Sequence, residues 1–409
     1  MAIHYPAGIV YRQINFDTKA GAINELIDVL DDAGWTKVEE VVAWIAATFN
    51  GLPNNNNSAT IDGLTYTFVT TLVQATPRQV KIGATAAETA SNFGYAIIAG
   101  AGSGTAYSSS TVAHPTCTAT LSAANQVKIS YKTAGSTGIG ITVTSAVSNV
   151  TFASVGNGSG SLGGGGYKYD CVETGHGLQA RLYIFDPGGA ASGNIAIKVT
   201  TVDEVWGIDG AYLLVATARK LQVRAHAHGL WTFVIGSFTG SSDFAQFQFE
   251  VPWLLPPNRP APETRAGFGD MATIHQAFWW RANRTFATGA GVTWYDSFRW
   301  TAMPSGGSNG LLNEFLSIDA NVGVCTSVVV PDGASYANWE KGAYDLMEAR
   351  IGWRVNNASF FKVGELWGAF VIATAAPGDL IKTGFDGHDW ISYTQSNVIG
   401  NHSIWLAIS

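Results

Sequence analysis

The chain is short of charge: only 13% of its 409 residues are Asp, Glu, Lys or Arg, about half the usual share. A freely solvated cytosolic enzyme carries more Lys and Glu than this. Low charge suits a subunit whose surface is covered by neighbours, because interface cores are depleted in charge and enriched in aromatics. A secreted β-protein with a Ser/Thr/Asn surface is the other reading of the same composition. No basic run occurs anywhere and the formal net charge is −7. That argues against nucleic acid as a partner, since such a surface needs clustered Lys and Arg to displace counterions. No apolar run is long enough to span a bilayer, so no membrane association is expected. The N-terminal MAIHYPAGIVYRQ lacks the cationic-then-apolar pattern of a secretory signal. The three cysteines, Cys117, Cys171 and Cys325, are odd in number and far apart, which excludes a disulfide framework. They fit a chain folded in a reducing cytoplasm, its thiols serving as small apolar residues.

What is abundant is glycine and tryptophan, 47 and 14 residues, with many Ser, Thr and Ala. The profile is that of a β-rich, loop-rich protein long enough for two to three domains. The clearest helix is expected over 17–34. Asp17 or Thr18 caps it, Ile23, Leu26, Ile27 and Leu30 form one apolar stripe, Asp28, Asp31 and Asp32 lie opposite, and Gly34 ends it. VEEVVAWIAATF (38–49) fits a helix by length and a strand by β-branched content, and both stay open.

From Asp62 to Val143 the pattern is a compact α/β module. Leu64, Tyr66 and Phe68 alternate with Thr65, Thr67 and Val69 as a strand. Thr85 three residues before Glu88 has the spacing of a capping box. Ala86, Ala90, Phe93 and Ile97 then recur at helical spacing, with Gly100 as terminator. Val127, Ile129 and Tyr131 alternate with Lys128, Ser130 and Lys132 before a glycine turn and a last strand. GLPNNNNS (51–58) and GNGSGSLGGGG (156–166) read as flexible connectors on either side, the composition required where a domain enters a surface loop. The expected organisation is a host part over 1–53 that includes the N-terminal helix, an inserted α/β domain over 54–165, and a β-rich remainder over 166–409. A candidate division lies at the proline-rich 252–263.

Beyond Tyr167 the chain reads as strands between turns: LQARLYIF, NIAIKVT, AYLLVA, KLQVRAHA, WTFVIG, FAQFQFEVP, FWWRANRTF, VTWYDSFRWTAM and SIWLAIS. One short helix is expected in GASYANWEKGAYDLMEARIGW, with Leu346 and Ala349 on its apolar side. The fold class is mainly β, antiparallel and sandwich- or barrel-like, with an N-terminal helix and an inserted α/β domain. No solenoid or propeller repeat is visible.

The ordered set Gly63-x-x-Tyr66-Thr67-Phe68, then Ile82-Gly-Ala-Thr-Ala-Ala-x-Thr-Ala-x-Asn92, then Lys132-Thr-Ala-Gly-x-x-Gly138 resembles a small domain inserted into virion structural proteins of tailed bacteriophages. TGHGLQARLYIFDPG, AYLLVATARKLQVRAHAHGLWTFVIG and GFDGHDWISYTQSNVIGNHSIWLAI resemble β-segments of phage tail and baseplate-region proteins. The resemblance implies a structural role in a virion assembled in the host cytoplasm, with no active site, cofactor or metal to carry over. Its partners would be other virion proteins and further copies of the chain in a symmetric assembly. A glycan-binding or glycan-cleaving receptor protein of the tail, contacting a host surface glycan, is the alternative. A head decoration or collar protein is another.

Each chemical motif has a plainer reading. Gly306-Gly307-Ser308-Asn309-Gly310 fits G-x-S-x-G, but a nucleophile elbow needs an apolar strand before it and a helix after it. Here Pro304 precedes a polar loop. Gly158 to Gly163 fits G-x-G-x-x-G without a surrounding βαβ unit and reads as linker. The glycine turn at Gly135–Gly140 lacks a phosphate-reaching lysine. His226-Ala227-His228 would place two imidazoles on one strand face. Gln222 and Arg224 share that face, and the guanidinium opposes a divalent metal, so a hydrogen-bonding polar face is expected. Asp386-Gly387-His388-Asp389-Trp390 reads as a hairpin turn into WISYTQ. The adjacent pairs Asp31/Asp32, Glu39/Glu40 and Asp203/Glu204 diverge rather than flank a bond. Trp279, Trp280, Trp294, Trp300 and Trp353 serve a core or interface before they serve as a sugar platform. No catalytic residue, cofactor site or metal site is assigned, and no enzymatic activity is expected.

Overall fold

The structure is a computed structural model that describes residues 3–15, 18–154, 160–173, 179–188, 194–200, 202–204, 207–214, 220–235, 245–251, 253–254, 274–283, 294–302, 347–355, 359–372, 381–384, 386–394 and 403–409. Its first elements are β1 (Val10–Asn15), α1 (Lys19–Asp32), β2 (Thr36–Val41) and β3 (Trp44–Phe49). Then come β4 (Ser58–Ile61), β5 (Leu64–Val69), β6 (Gln79–Lys81), α2 (Ala86–Ile98), β7 (Cys117–Ala123), β8 (Gln126–Tyr131), β9 (Val143–Ser145) and β10 (Val150–Ser154). Strands β11 (Gly166–Asp170), β12 (Arg181–Phe185), β13 (Asn194–Thr200), β14 (Gly207–Leu214), β15 (Lys220–His226), β16 (Gly229–Ile235) and β17 (Ala245–Glu250) follow. The rest are β18 (Trp253–Leu254), β19 (Ile274–Asn283), β20 (Trp294–Ala302), β21 (Met347–Val355), β22 (Ser359–Ile372), β23 (Ile381–Thr383), β24 (Asp389–Thr394) and β25 (Ser403–Ala407). The architecture is mainly β, in several sheets, with two α-helices among the described residues. Every strand pair is antiparallel except β5 with β6 among those described.

Thr18 caps α1, its hydroxyl accepting the Gly21 N–H, while Asp17 lies outside the described residues. Ile23, Leu26, Ile27 and Leu30 are buried as the stripe requires, and Asp28, Asp31 and Asp32 face solvent. The open segment 38–49 resolves into two strands, β2 and β3, in different sheets. Its β-branched residues pack better on a pleated surface than around a helix. Strand β2 extends β11 at the edge of the sheet β14-β13-β12-β11-β2. Strand β3 lies instead between β10 and β8.

That pairing moves the start of the module's core. Ala43, Ile45, Ala47 and Phe49 from β3 and its approach join Tyr66, Phe68, Phe93, Ile97, Val127 and Ile129 in one buried cluster that ends at Leu162. Phe49 meets Phe68 and Phe93 edge-on, with centroids 5.9 and 6.0 Å apart, the geometry that aromatic quadrupoles favour. The sheets β10-β3-β8-β7 and β6-β5-β4-β9 share this core with α2.

The two segments expected to be flexible connectors are packed where they are described. Asn54 N–H donates to Asn57 Oδ1 and to Ser148 Oγ at 3.0 Å, and Ser148 N–H donates to the same Asn57 oxygen at 2.8 Å. The asparagine run is a turn built on side-chain bonds. In the second segment Leu162 is fully buried and Gly163 bridges Trp44. A Cβ on Gly163 would lie 2.8 Å from Gly188 N, and one on Gly166 2.1 Å from Ile184 O. The glycines are there for close backbone approach rather than flexibility.

The capping box forms with one change: Thr85 Oγ1 accepts the Glu88 N–H at 3.1 Å, but Glu88 caps Ala84 N–H at 2.8 Å rather than that of Thr85. The helix ends on Ala99 in the left-handed region, φ 48°, and Gly100 donates back to Tyr95 O. The expected terminator is thus one residue late. The helix expected around Leu346 and Ala349 is also corrected. Residues Met347–Val355 form β21, paired with β22, and Leu346 lies outside the described residues. Of the proline-rich 252–263 only Trp253–Leu254 is described, as the short strand β18.

The packing predicts that a fragment spanning 42–165 folds cooperatively in urea, whereas 54–165, which lacks β3, does not. Phe49→Ala in the full chain should cost about 3–5 kcal/mol, read from the denaturation midpoint of the same module.

Candidate functional site

Strands β15, β16 and β17 form an antiparallel run in the sheet β1-β15-β16-β17-β19-β20. Side chains alternate across it, so Leu221, Val223 and Ala225 face one way and Gln222, Arg224 and His226 the other. The register sets Trp231 opposite Arg224, and Gly229 opposite both His226 and Glu250. Next-nearest strands are about 10 Å apart. Because Gly229 carries no side chain, His226 and Glu250 meet across it, with Nε2 3.5 Å from Oε2. A Cβ on Gly229 would sit 2.7 Å from His226 Nε2.

Arg224, His226 and Glu250 are all 0% exposed. Arg224 Nε donates to Ala407 O at 2.6 Å and Nη2 to Trp367 O at 2.9 Å. Glu250 accepts the Trp231 indole N–H at 2.9 Å and the backbone N–H of Trp367. Trp367 Nε1 donates to Val251 O at 2.9 Å. Trp367 belongs to β22 and Ala407 to β25, so the cluster fastens the C-terminal sheet onto the central one. Gly368, at φ +53°, leaves room for the guanidinium, because a Cβ there would lie 3.0 Å from Nη2.

The turn Ala227-His228 gathers the neighbouring elements. Ala227 N–H donates to Ala7 O, Val172 N–H to Ala227 O, and Val251 N–H to His228 O. Trp35 Nε1 donates to His226 O at 2.7 Å. His228 N–H donates to His226 Nδ1 at 3.2 Å, and His228 Nδ1 donates to Val172 O at 3.0 Å. His226 is therefore an Nε2–H tautomer, and among the described residues neither its Nε2 nor Arg224 Nη1 has a hydrogen-bond partner. Such buried orphan donors are where internal water is found in proteins.

Burial sets the electrostatics. Desolvation, with Arg224 and His228 adding to it, holds His226 well below the usual imidazole range. Burial lowers His228 as well. Glu250 is pushed up to about 7 by desolvation, against the pull of Arg224, Trp367 N–H and Trp231. Arg224 is brought down to about 10 by desolvation and stays charged at neutral pH.

The paired-histidine reading resolves into the polar face expected from sequence. The ring centroids of His226 and His228 are 6.3 Å apart at 72°, and both Nδ1 atoms are engaged with backbone. No group of three metal-ligating side chains is assembled among the described residues. Glu250 and Trp367 carry no signal in the sequence; register brings Glu250 to the cluster, and packing of the C-terminal sheet brings Trp367.

A second cluster closes the N-terminal segment on the C-terminal sheet. The Tyr5 ring stacks on His388 with centroids 4.2 Å apart and its hydroxyl donates to Asp386. Asp386 Oδ1 accepts the His388 N–H at 3.1 Å, and Gly387 has φ +82°. Gly384 N–H donates to His388 O, which closes the expected hairpin between β23 and β24.

Several of the adjacent carboxylates form ion pairs: Glu39 and Glu204 both reach Lys168, at 2.8 and 2.9 Å, Glu204 reaches Arg181 at 2.8 Å, and Glu40 reaches Lys37 at 2.7 Å. Lys168 and Arg181 hold the Glu204 carboxyl below its ordinary range. Asp32 pairs with Arg12. Cys117 and Cys171 are free and buried, and burial pushes the Cys171 thiol up to about 12. Gly306–Gly310 with Ser308, and Cys325, lie outside the described residues. Trp279, Trp280, Trp294, Trp300 and Trp353 fall on strands β19, β20 and β21, and their side chains are outside what is described. No described helix is long and apolar enough to cross a membrane.

Compared with known proteins, the chain matches no family model, no curated protein and no solved structure. Its class is therefore defined by its architecture, a mainly antiparallel β-protein in which a buried ionisable cluster joins two sheets.

Removing one member of a buried network leaves the others uncompensated. Arg224→Ala is expected to lower stability by about 3–5 kcal/mol, measured by urea unfolding. An exposed control, Arg12→Ala, should cost no more than about 1 kcal/mol.

Proposed function

We propose that the chain is a structural subunit of a tailed bacteriophage particle, working in the tail or baseplate region by holding neighbouring subunits in register. The observation that carries this reading is the ordered motif set between Gly63 and Gly138 together with what its residues do. Tyr66 and Phe68 are core, Thr85 and Glu88 cap a helix, and Ser136 N–H, in the turn before Gly138, donates to the Tyr167 hydroxyl at 3.2 Å. These residues hold the fold rather than a reacting group. The buried Arg224, His226 and Glu250 likewise join sheets. Low surface charge agrees with a chain whose outer faces are covered by neighbours.

Immunogold labelling of intact particles with an antibody to this chain should mark the tail end. Label on the head would favour a decoration or collar protein, and particles without label would remove the virion reading. Saturable binding or cleavage of a host polysaccharide by the purified chain would put a glycan receptor in its place. A subunit of this kind should self-associate as its concentration rises in sedimentation velocity, because low charge leaves little to oppose contact. A monomer stable across a hundredfold range of concentration would contradict the proposal.

A further inference from the structure

We infer that His226 and Glu250 act as a compensating proton pair: as the chain folds, one proton passes from the imidazole to the carboxyl group, so that this pair adds no pH dependence of its own to docking of the C-terminal sheet in mild acid. The inference rests on contact and burial. An acid and a base, each fully enclosed, lie 3.5 Å apart across Gly229, and a low-dielectric site favours the neutral form of both.

The groups facing the pair are Arg224 beside it on β15, His228 in the turn, the Trp231 indole on β16 and the Trp367 backbone and indole from β22. From the N-terminal segment the carbonyl of Ala7 meets the turn at Ala227. The hydrogen bonding adds polarity to the argument. His226 Nδ1 accepts the His228 N–H. An imidazolium would carry a proton on that nitrogen and set two donors face to face.

In the unfolded chain at a pH between the ordinary carboxyl and imidazole values, Glu250 is ionised and His226 protonated. On folding, the imidazolium gives up its Nδ1 proton and the carboxylate takes one up, with water carrying it between them. The number of bound protons is the same before and after, so this pair adds no pH slope to stability. The separate effects are opposed. A depressed imidazole loses its share of stability as pH falls below its unfolded value, and a raised carboxyl loses its share as pH rises toward its folded value. Arg224 stays charged throughout and does not enter the count. His228, also lowered by burial, is present in every variant below and adds a slope of its own, so each variant is read as a change in slope relative to the native chain.

The test is the unfolding equilibrium constant of the full chain in urea, from about pH 5 to pH 6, for the native chain, Glu250→Gln and His226→Asn. The asparagine oxygen can still accept the His228 N–H and cannot titrate. Relative to the native chain, Glu250→Gln should lose stability by up to tenfold in that constant per pH unit on acidification, and His226→Asn should gain by up to tenfold. Slopes that shift in the same direction, or in neither variant, overturn the pair. Should a variant not fold, the native chain still decides. Its infrared spectrum near pH 6 should contain the carbonyl stretch of a protonated, buried carboxyl, and the absence of that band overturns the inference.

Discussion

The arrangement of the central and C-terminal sheets depends on the absence of a side chain at Gly229. With no Cβ there, His226 and Glu250 close over the middle strand, and a Cβ would come within 2.7 Å of the imidazole. Around that contact the chain has fully buried Arg224, His226 and Glu250. Burial of this kind is costly and adds little net stability. What it contributes is direction. Arg224 donates to the carbonyls of Trp367 and Ala407, and Glu250 accepts the N–H groups of Trp231 and Trp367. An apolar contact of the same area would tolerate sliding, because the hydrophobic effect has no preferred orientation. The polar clamp fixes where β22 and β25 sit.

The turn at Ala227-His228 extends the same constraint to distant parts of the chain. It receives the N-terminal segment through Ala7, the end of β11 through Val172 and the end of β17 through Val251. The His226 carbonyl just before it receives the Trp35 indole. Tyr5, stacked on His388, closes the N-terminal segment against the C-terminal sheet. The module between Ala43 and Leu162 is organised differently, around an apolar core of Phe49, Tyr66, Phe68 and Phe93. The chain thus uses oriented polar bonds where sheets meet, and aromatic packing where one compact unit must cohere.

Local features were legible in the sequence where a short-range rule suffices. The stripe Ile23, Leu26, Ile27 and Leu30, the Thr85 cap and the Asp386-Gly387 turn each follow from residues within one or two turns of chain. Features set by partners were not. Residues 38–49 could not be read as two strands without knowing that β3 pairs β8 and β10. The glycines near 163 looked like linker because composition does not reveal that Gly188 and Ile184 press against them. Of the polar cluster, Gln222, Arg224, His226 and His228 were visible as one face, but Glu250 and Trp367 reach it through register and sheet packing.

If the clamp is what seats the C-terminal sheet, amide hydrogen exchange tests it most directly. The N–H groups of Ala227, of Val251 and of the adjacent Trp367 and Gly368 lie on three separate parts of the chain but meet at the same junction. The account predicts that they exchange as one cooperative unit, with protection that falls together as urea is raised below the global midpoint. Fast exchange at Trp367 and Gly368 while Ala227 and Val251 stay protected would show that the C-terminal sheet is seated by something else.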